Sequence, residues 1–280
     1  MYLITGSNGQ LGTELREILG EDGAIYTDKE DLDITNSNEV LEFVKGKDIK
    51  YIVNCAAYTA VDNAENEKSL ARKINVIGAK NLSIAAESIN AKLIHISTDY
   101  VFDGTNHVPY KEDDQTNPNS IYGITKRDGE IEALRHANSV IILRTAWLYS
   151  SHGNNFVKTM RKLGKSRDEI GVIADQIGSP TYAAHLAKAI IDIAPQIADG
   201  EKDIFNFTNE GVTSWFDFAI EIMNLSQINC WVKSIETKDY PTPAKRPHYS
   251  VLNKEKIKTR FNIEIPHWKK GLVQCLKKLF

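Results

Sequence analysis

Short apolar runs alternate with amphipathic stretches through the first half of the chain. Tyr2–Thr5, Ala24–Thr27, Tyr51–Asn54, Leu93–Ser97 and Val140–Arg144 are rich in apolar residues and carry no helical periodicity, the pattern of strands buried on both faces. Between them lie helical patterns. Gln10–Leu19 repeats Leu11, Leu15, Ile18 and Leu19 on one face, and Ser37–Val44 opens on a capping serine. Ser69–Ser88 is long and Ala-rich, and Tyr122–Leu134 follows the turn at Asn117-Pro118-Asn119. Strand–helix alternation of this kind predicts an α/β fold with a doubly wound parallel sheet and right-handed crossovers.

After Tyr149 the pattern is less regular. Helices are predicted at Phe156–Leu163, Ala183–Ile193 and Trp215–Met223, a strand at Ile204–Phe207, and a loop at Asp175–Thr181. A Pro-rich segment, Pro241–Pro247, precedes a basic tail. The expected organisation is a dinucleotide-binding domain at 1–149, with a return to the sheet around 183–208. A smaller C-terminal substrate-binding lobe is expected from 150–182 and 209–280.

The first strand runs into Gly6-Ser7-Asn8-Gly9-Gln10-Leu11-Gly12 and then into a helix. Gly6 permits the tight turn, Gly9 lets backbone approach a pyrophosphate, and Gly12 allows close helix–strand packing. The helix N-terminus adds free N–H groups and a positive dipole end. This makes the sheet a Rossmann-type one. The second strand ends at Asp28, where an acid accepts hydrogen bonds from the adenosine ribose and repels a 2′-phosphate. NADH is therefore favoured over NADPH, although Lys29 next door tolerates the phosphate. Asp33-Ile34 is placed to flank the adenine, and Asn54-Cys55-Ala56-Ala57-Tyr58-Thr59 offers small residues where the cofactor passes.

Tyr122 and Lys126 stand four apart at the start of a predicted helix and share one face. A phenol ordinarily titrates near about 10, and a neighbouring ammonium is expected to lower it toward working pH. Tyr122 is then the general acid for a carbonyl oxygen, and Lys126 reaches a nicotinamide ribose. Thr98 and Asp99 end the fourth strand, on the side of the sheet where ligands bind, and Thr98 supplies a hydroxyl to the same oxygen. His95, inside that strand, is read as a core histidine.

Composition narrows the partners. Charged residues are 25% of the chain and its net charge is -3, which argues against a general nucleic-acid binder. From Lys245 to Phe280 there are ten Lys or Arg against two Asp or Glu, a tail of net +8. Most of these lysines are expected on the solvated face of a surface helix, and Arg246 is the first candidate to meet an anionic ligand such as a diphosphate. No apolar stretch reaches the roughly eighteen residues of a membrane span, and no leader is apparent at the N-terminus. Cys55, Cys230 and Cys275 lack metal-ligand spacing and suit a reducing cytoplasm.

Seven blocks together resemble the extended short-chain dehydrogenase/reductase family, and within it the branch acting on nucleotide-linked 4-keto deoxysugars. They are Gly6–Gly12, Asn54–Glu65, Ser97–Gly104, Tyr122–Lys126, Arg144–Tyr149, Gly153–Met160 and Ala174–Thr181. The resemblance implies NAD(P)H-dependent reduction of dTDP-4-dehydro-L-rhamnose to dTDP-L-rhamnose. It further implies Thr98, Tyr122 and Lys126 as the catalytic set. Gly9, Gln10, Leu11, Asp28, Asp33, Ile34, Ala57, Tyr58 and Thr59 are implied around the cofactor, and Thr98, Asp99 and Trp147 against the sugar nucleotide. Asn75 is implied as a helper in proton relay. A homodimer is retained as an expectation. Some members bridge a dimer with Mg²⁺ through C-terminal acids. With only Glu255 and Glu264 in this tail, no metal is expected. Two alternatives stay open: another 4-ketoreductase or epimerase of the same fold, and a non-catalytic regulator similar to the β subunit of methionine adenosyltransferase. The regulatory branch can retain Tyr and Lys, so Thr98, Asp99 and Trp147 discriminate, and they favour a reductase.

Overall fold

The structure, a computed structural model, describes residues 1–279. The first half unfolds along the chain as β1 (Tyr2–Thr5), α1 (Gln10–Leu19), β2 (Ala24–Thr27), α2 (Ser37–Val44) and β3 (Tyr51–Asn54). Then come α3 (Val61–Ala64), α4 (Lys68–Arg72), a π-helical stretch at Lys73–Gly78, α5 (Ala79–Ser88) and β4 (Lys92–Thr98). α6 (Ile121–His136) and β5 (Val140–Thr145) complete this half. The second half contains β6 (Leu148–Tyr149), α7 (Phe156–Ser166), β7 (Glu169–Ile173), β8 (Ile177–Gly178), β9 (Thr181–Tyr182) and α8 (Ala183–Ile193). It ends with β10 (Lys202–Asn206), β11 (Thr213–Ser214), α9 (Trp215–Ser226), β12 (Trp231–Ile235), α10 (Glu255–Phe261) and α11 (Trp268–Lys277).

Six strands form one sheet in the order β10-β5-β4-β3-β1-β2, and all its pairs are parallel. The expected α/β doubly wound sheet is therefore present. Its residues alternate between two cores, because successive strand side chains point to opposite faces. Ile4, Val53, Ile94 and Ile141 face a layer built by α1, α8 and α10. Leu3, Ile52, Leu93 and Ile142 face one built by α2, α5 and α6. β2 and β3 flank β1 on opposite sides, so the strand order reverses there and a crevice opens beyond the carboxyl ends.

The expected helix over Ser69–Ser88 is divided. Its middle winds as a π-helix at Lys73–Gly78, between the α-helical α4 and α5. A single wide turn of this kind redirects side chains without ending the helix. Gly129 of α6 shows why: a Cβ there would lie 2.3 Å from the Asn75 carbonyl oxygen, so the two backbones touch.

The C-terminal lobe holds a parallel pair, β7 and β12, that the sequence pattern did not announce. Ile170, Val172 and Val232 pack there with α7, α9 and α11 around Tyr149, Phe218 and Trp268. The basic tail is more than a solvated surface. Ile257 and Phe261 of α10 join the core beneath the sheet, and Trp268, Leu272, Cys275 and Leu276 of α11 join that of the lobe. Its cations meet acids from elsewhere in the chain: Lys256 meets Asp203, Lys258 meets Glu210, Arg260 meets Glu201, and Lys278 meets both Glu14 and Glu17. The uneven charge along the sequence is thus matched within the fold.

Candidate functional site

A cleft of about 830 Å³ lies over the carboxyl ends of the sheet. Thr5, Thr27, Thr98 and Thr145, the last residues of β1, β2, β4 and β5, all border it. Gly6, Gly9, Gln10, Leu11 and Gly12 line one end. Gly6 adopts φ +65°, and a Cβ there would sit 2.7 Å from Ala56 backbone. The loop can therefore close only around glycine. Gly9 caps α1 with no side-chain hydrogen bond, which leaves the helix N–H groups to face a ligand. These features fit a dinucleotide diphosphate.

Asp28, Asp33, Ile34, Ala57 and Thr59 line the same cleft, with Lys29 beside Asp28. Asp28 is oriented by the Asn8 N–H at 3.1 Å and the Lys29 N–H at 2.8 Å. Asp33 is held below the usual carboxylate range by hydrogen bonds from Thr35. Tyr58 does not line the cleft with its side chain. Its hydroxyl donates to Glu67, and its backbone N–H donates to Asn75 Oδ1 at 2.8 Å. Asn75 also donates to the Tyr58 carbonyl at 3.2 Å and to Thr125 Oγ1 at 3.0 Å. It is 1% exposed and joins the 54–59 loop to α6. His95 is equally buried, and its Nδ1 lies 2.9 Å from Asn54 Nδ2. Burial pushes its pKa well down, so it sits in the core as a neutral ring that steadies Asn54.

α6 starts at the cleft, where two groups cap it. Ser120 Oγ accepts from Gly123 N–H at 3.1 Å, and Glu65 accepts from Ile121 N–H at 2.9 Å. Asn119, just before, donates to the Asp103 carbonyl at 2.9 Å. Tyr122 then faces Thr98, Asp99, Tyr100 and Lys126 around the cleft. Tyr100 packs edge-on against Tyr122 with ring centres 5.5 Å apart. Thr98 donates to Asp99 Oδ1 at 3.0 Å and accepts from Tyr100 N–H at 3.2 Å. Burial raises Asp99 to about 7, against hydrogen bonds from Thr98 and Ser250.

One electrostatic expectation is corrected. Lys126 does not depress the Tyr122 phenol. Burial pushes that phenol up to about 12, partly offset by a hydrogen bond with Thr98. The lysine ammonium donates instead to the Ile96 carbonyl at 2.6 Å. Burial pulls Lys126 itself down to about 8, chiefly against the attraction of Glu130. Burial is the largest influence at both groups: at Tyr122 the Asp99 charge acts in the same direction, and at Lys126 desolvation outweighs the attraction of Glu130.

Trp147 lines the cleft with its backbone at φ +50°, a left-handed conformation rare for a bulky residue. Its indole stacks on Trp215 with centres 3.6 Å apart. Arg246 is not among the lining residues. Asp62 holds its guanidinium through two contacts of 2.9 and 2.7 Å. Tyr100, Trp215 and Glu130 were absent from the sequence-based site. Tyr100 was signalled by its place one residue past Asp99, whereas no spacing signals Trp215. Glu14, Glu17 and His152 are the one group of ligand-type side chains close enough for a metal among the described residues. Lys278 already bridges the two carboxylates, at 3.3 and 2.5 Å, so the group does not fit an added cation.

A family model described as the RmlD substrate binding domain matches residues 1–280. The chain is 44% identical to the dTDP-4-dehydrorhamnose reductase of Aggregatibacter actinomycetemcomitans, with 96% of each covered. The crystal structure of a dTDP-4-dehydrorhamnose reductase from Clostridium acetobutylicum superposes with a TM-score of 0.94 at 43% identity, covering 99% of both chains. That of a dTDP-4-dehydrorhamnose reductase from Bacillus anthracis, solved in complex with NADP, gives 0.95 at 41% identity, covering 99% of this chain and 98% of that one.

Proposed function

The chain belongs to the RmlD substrate binding domain family, and from that membership we propose that it reduces the 4-keto group of dTDP-4-dehydro-L-rhamnose to dTDP-L-rhamnose. It is an NAD(P)H-dependent oxidoreductase acting on a nucleotide sugar. The observation that carries this reading is convergence. Thr98 from the end of β4 and Tyr122 and Lys126 from the first turns of α6 border the cleft that begins at Gly6–Gly12.

When bound, the nicotinamide supplies the hydride that C4 receives. Tyr122 gives its phenolic proton to the keto oxygen, so ketone, hydride and proton become the alcohol. A phenol raised to about 12 is fully protonated before the reaction, as a proton donor must be. The Thr98 hydroxyl, seated on Asp99, directs the same oxygen, and it can donate once Asp99 carries a proton. Lys126 would hold the nicotinamide ribose and draw charge from the phenolate left behind. Trp147 forms the wall for the sugar nucleotide. Arg246 meets the diphosphate only by exchanging Asp62 for it.

NADH is the favoured donor because Asp28, which lines the cleft, would meet the adenosine ribose and repel a 2′-phosphate. The three thiols Cys55, Cys230 and Cys275 are free, in keeping with a reducing cytoplasm. The test is direct. Purified protein with NADH and dTDP-4-dehydro-L-rhamnose should consume NADH and yield dTDP-L-rhamnose, identified by mass and sugar analysis. Turnover to a different epimer would reassign the substrate, and no turnover with either donor would end the enzyme reading.

A further inference from the structure

Behind Lys126 lies a buried charged layer that the reaction above does not use. Glu130 follows Lys126 by four residues, as Lys126 follows Tyr122, so all three share one face of α6. The side chains of Glu130 and Arg144 are each 3% exposed. Arg144 Nε donates to Glu130 Oε1 at 3.0 Å, and its Nη2 donates to Oε2 at 2.8 Å. The Ser97 hydroxyl adds a contact of 2.5 Å to Oε1. Arg144 Nη1 donates to the Glu112 carbonyl at 3.1 Å, which completes the cage. Ser97 precedes Thr98 and pairs with Arg144 across the β4–β5 ladder, so the layer is fixed to the strand ends of the site.

Burying two charges is costly, and an apolar pair of similar shape often stabilises as well. Its place is more informative. We propose that Glu130 is a positioning residue of the reduction, whose carboxylate, fixed by Arg144 and Ser97, keeps the Lys126 ammonium charged and seated beside Tyr122. The groups facing Lys126 can be named element by element. From α6 they are Tyr122 and Glu130; from β4, His95 and the Ile96 carbonyl; after β3, Cys55. Burial leaves His95 neutral and pushes the Cys55 thiol up to about 12, so neither carries charge at working pH. Glu130 is thus the one full negative charge in this set. Arg144, the other full charge beside Glu130, holds that carboxylate in a buried ion pair. Burial alone draws Lys126 toward its neutral form, and Glu130 is the largest influence opposing it.

This inference rests on the reading of Tyr122 and Lys126 as the reacting groups. The test uses the full chain with Glu130→Gln, with Glu130→Asp, and with a Glu130→Gln/Arg144→Met double variant that leaves no unpaired buried guanidinium. NADH binding by fluorescence and kcat/KM are followed from pH 6 to 9.5, with melting temperatures measured alongside. The alkaline fall in both quantities should move to lower pH in Glu130→Gln and in the double variant, by about one pH unit. Glu130→Asp should move it part of the way. An unmoved alkaline limb in the double variant, or in Glu130→Asp should the double variant melt too low to assay, makes the pair purely structural and overturns the proposal. Tyr122→Phe is assayed in parallel. If it keeps full turnover, the reacting-group reading itself fails; if it is inactive while the limb stays fixed, only the role of Glu130 falls.

Discussion

At the scale of single residues, burial is the largest influence on the groups of the site. Tyr122 is enclosed and protonated, so Tyr122→Phe should lower turnover by roughly 10²–10⁴ while NADH affinity, measured by fluorescence titration, changes little. Lys126 titrates near about 8 because its ammonium is desolvated. Above that pH the cofactor loses its cationic partner, and kcat/KM for NADH should fall. Asp99 behaves in the opposite sense. Its folded pKa of about 7 lies above the ordinary 3.8, so its contribution to stability is present below the ordinary value and is lost as pH rises through about 7. Asp99→Asn should flatten that window, seen as the difference between urea midpoints of variant and wild type from pH 4 to 7. An unchanged slope would mean the carboxyl is charged throughout. Asp28→Ser should raise the NADPH-to-NADH ratio of kcat/KM by about tenfold, the effect of removing one repulsion worth ~1.4 kcal/mol.

At the scale of elements, the chain pattern was legible wherever one element buries one face. Gln10–Leu19, Ser37–Val44 and Ala183–Ile193 stand at their predicted bounds because apolar periodicity marks them, although Asn36 and not Ser37 caps the second and the other two have no side-chain cap. The π-helical stretch at Lys73–Gly78 was not legible. It arises from a contact 50 residues away in sequence, where α6 backs onto Asn75 and the side chain of Asn75 grips Thr125. Gly129→Ala tests this packing. The added methyl must push α6 away from the Asn75 carbonyl, at a cost of about 1–3 kcal/mol in unfolding free energy. Because Asn75 also grips the Tyr58 backbone, KM for NADH should rise as well. A variant as stable as wild type would show that the helices part freely. The β7–β12 pair was equally silent, since each strand is five residues long and β8 to β11, α8 and α9 all lie between them in the chain.

At the scale of the whole molecule, charge that looks segregated along the sequence is interleaved in space. Lys278, near the C-terminus, reaches Glu14 and Glu17 of α1, and Glu14 also accepts from the Ser150 hydroxyl at 2.5 Å. Glu14 is 1% exposed. Lys278→Ala removes its cation and should cost about 1–3 kcal/mol, read as a lowered urea midpoint, whereas Lys270→Ala on the exposed side should not. Asp62 and Arg246 tie the Pro-rich segment to α3, so Arg246, expected to meet a diphosphate, forms an ion pair within the chain. By itself the sequence determined the strand–helix alternation, the glycine loop and the tyrosine–lysine face, since each depends on residues a few positions apart. Only the tertiary structure decided which groups lose their water, which cations find acids, and that Glu130 and Trp215 stand behind Lys126 and Trp147. Those outcomes depend on burial and on long-range partners, which local periodicity does not encode.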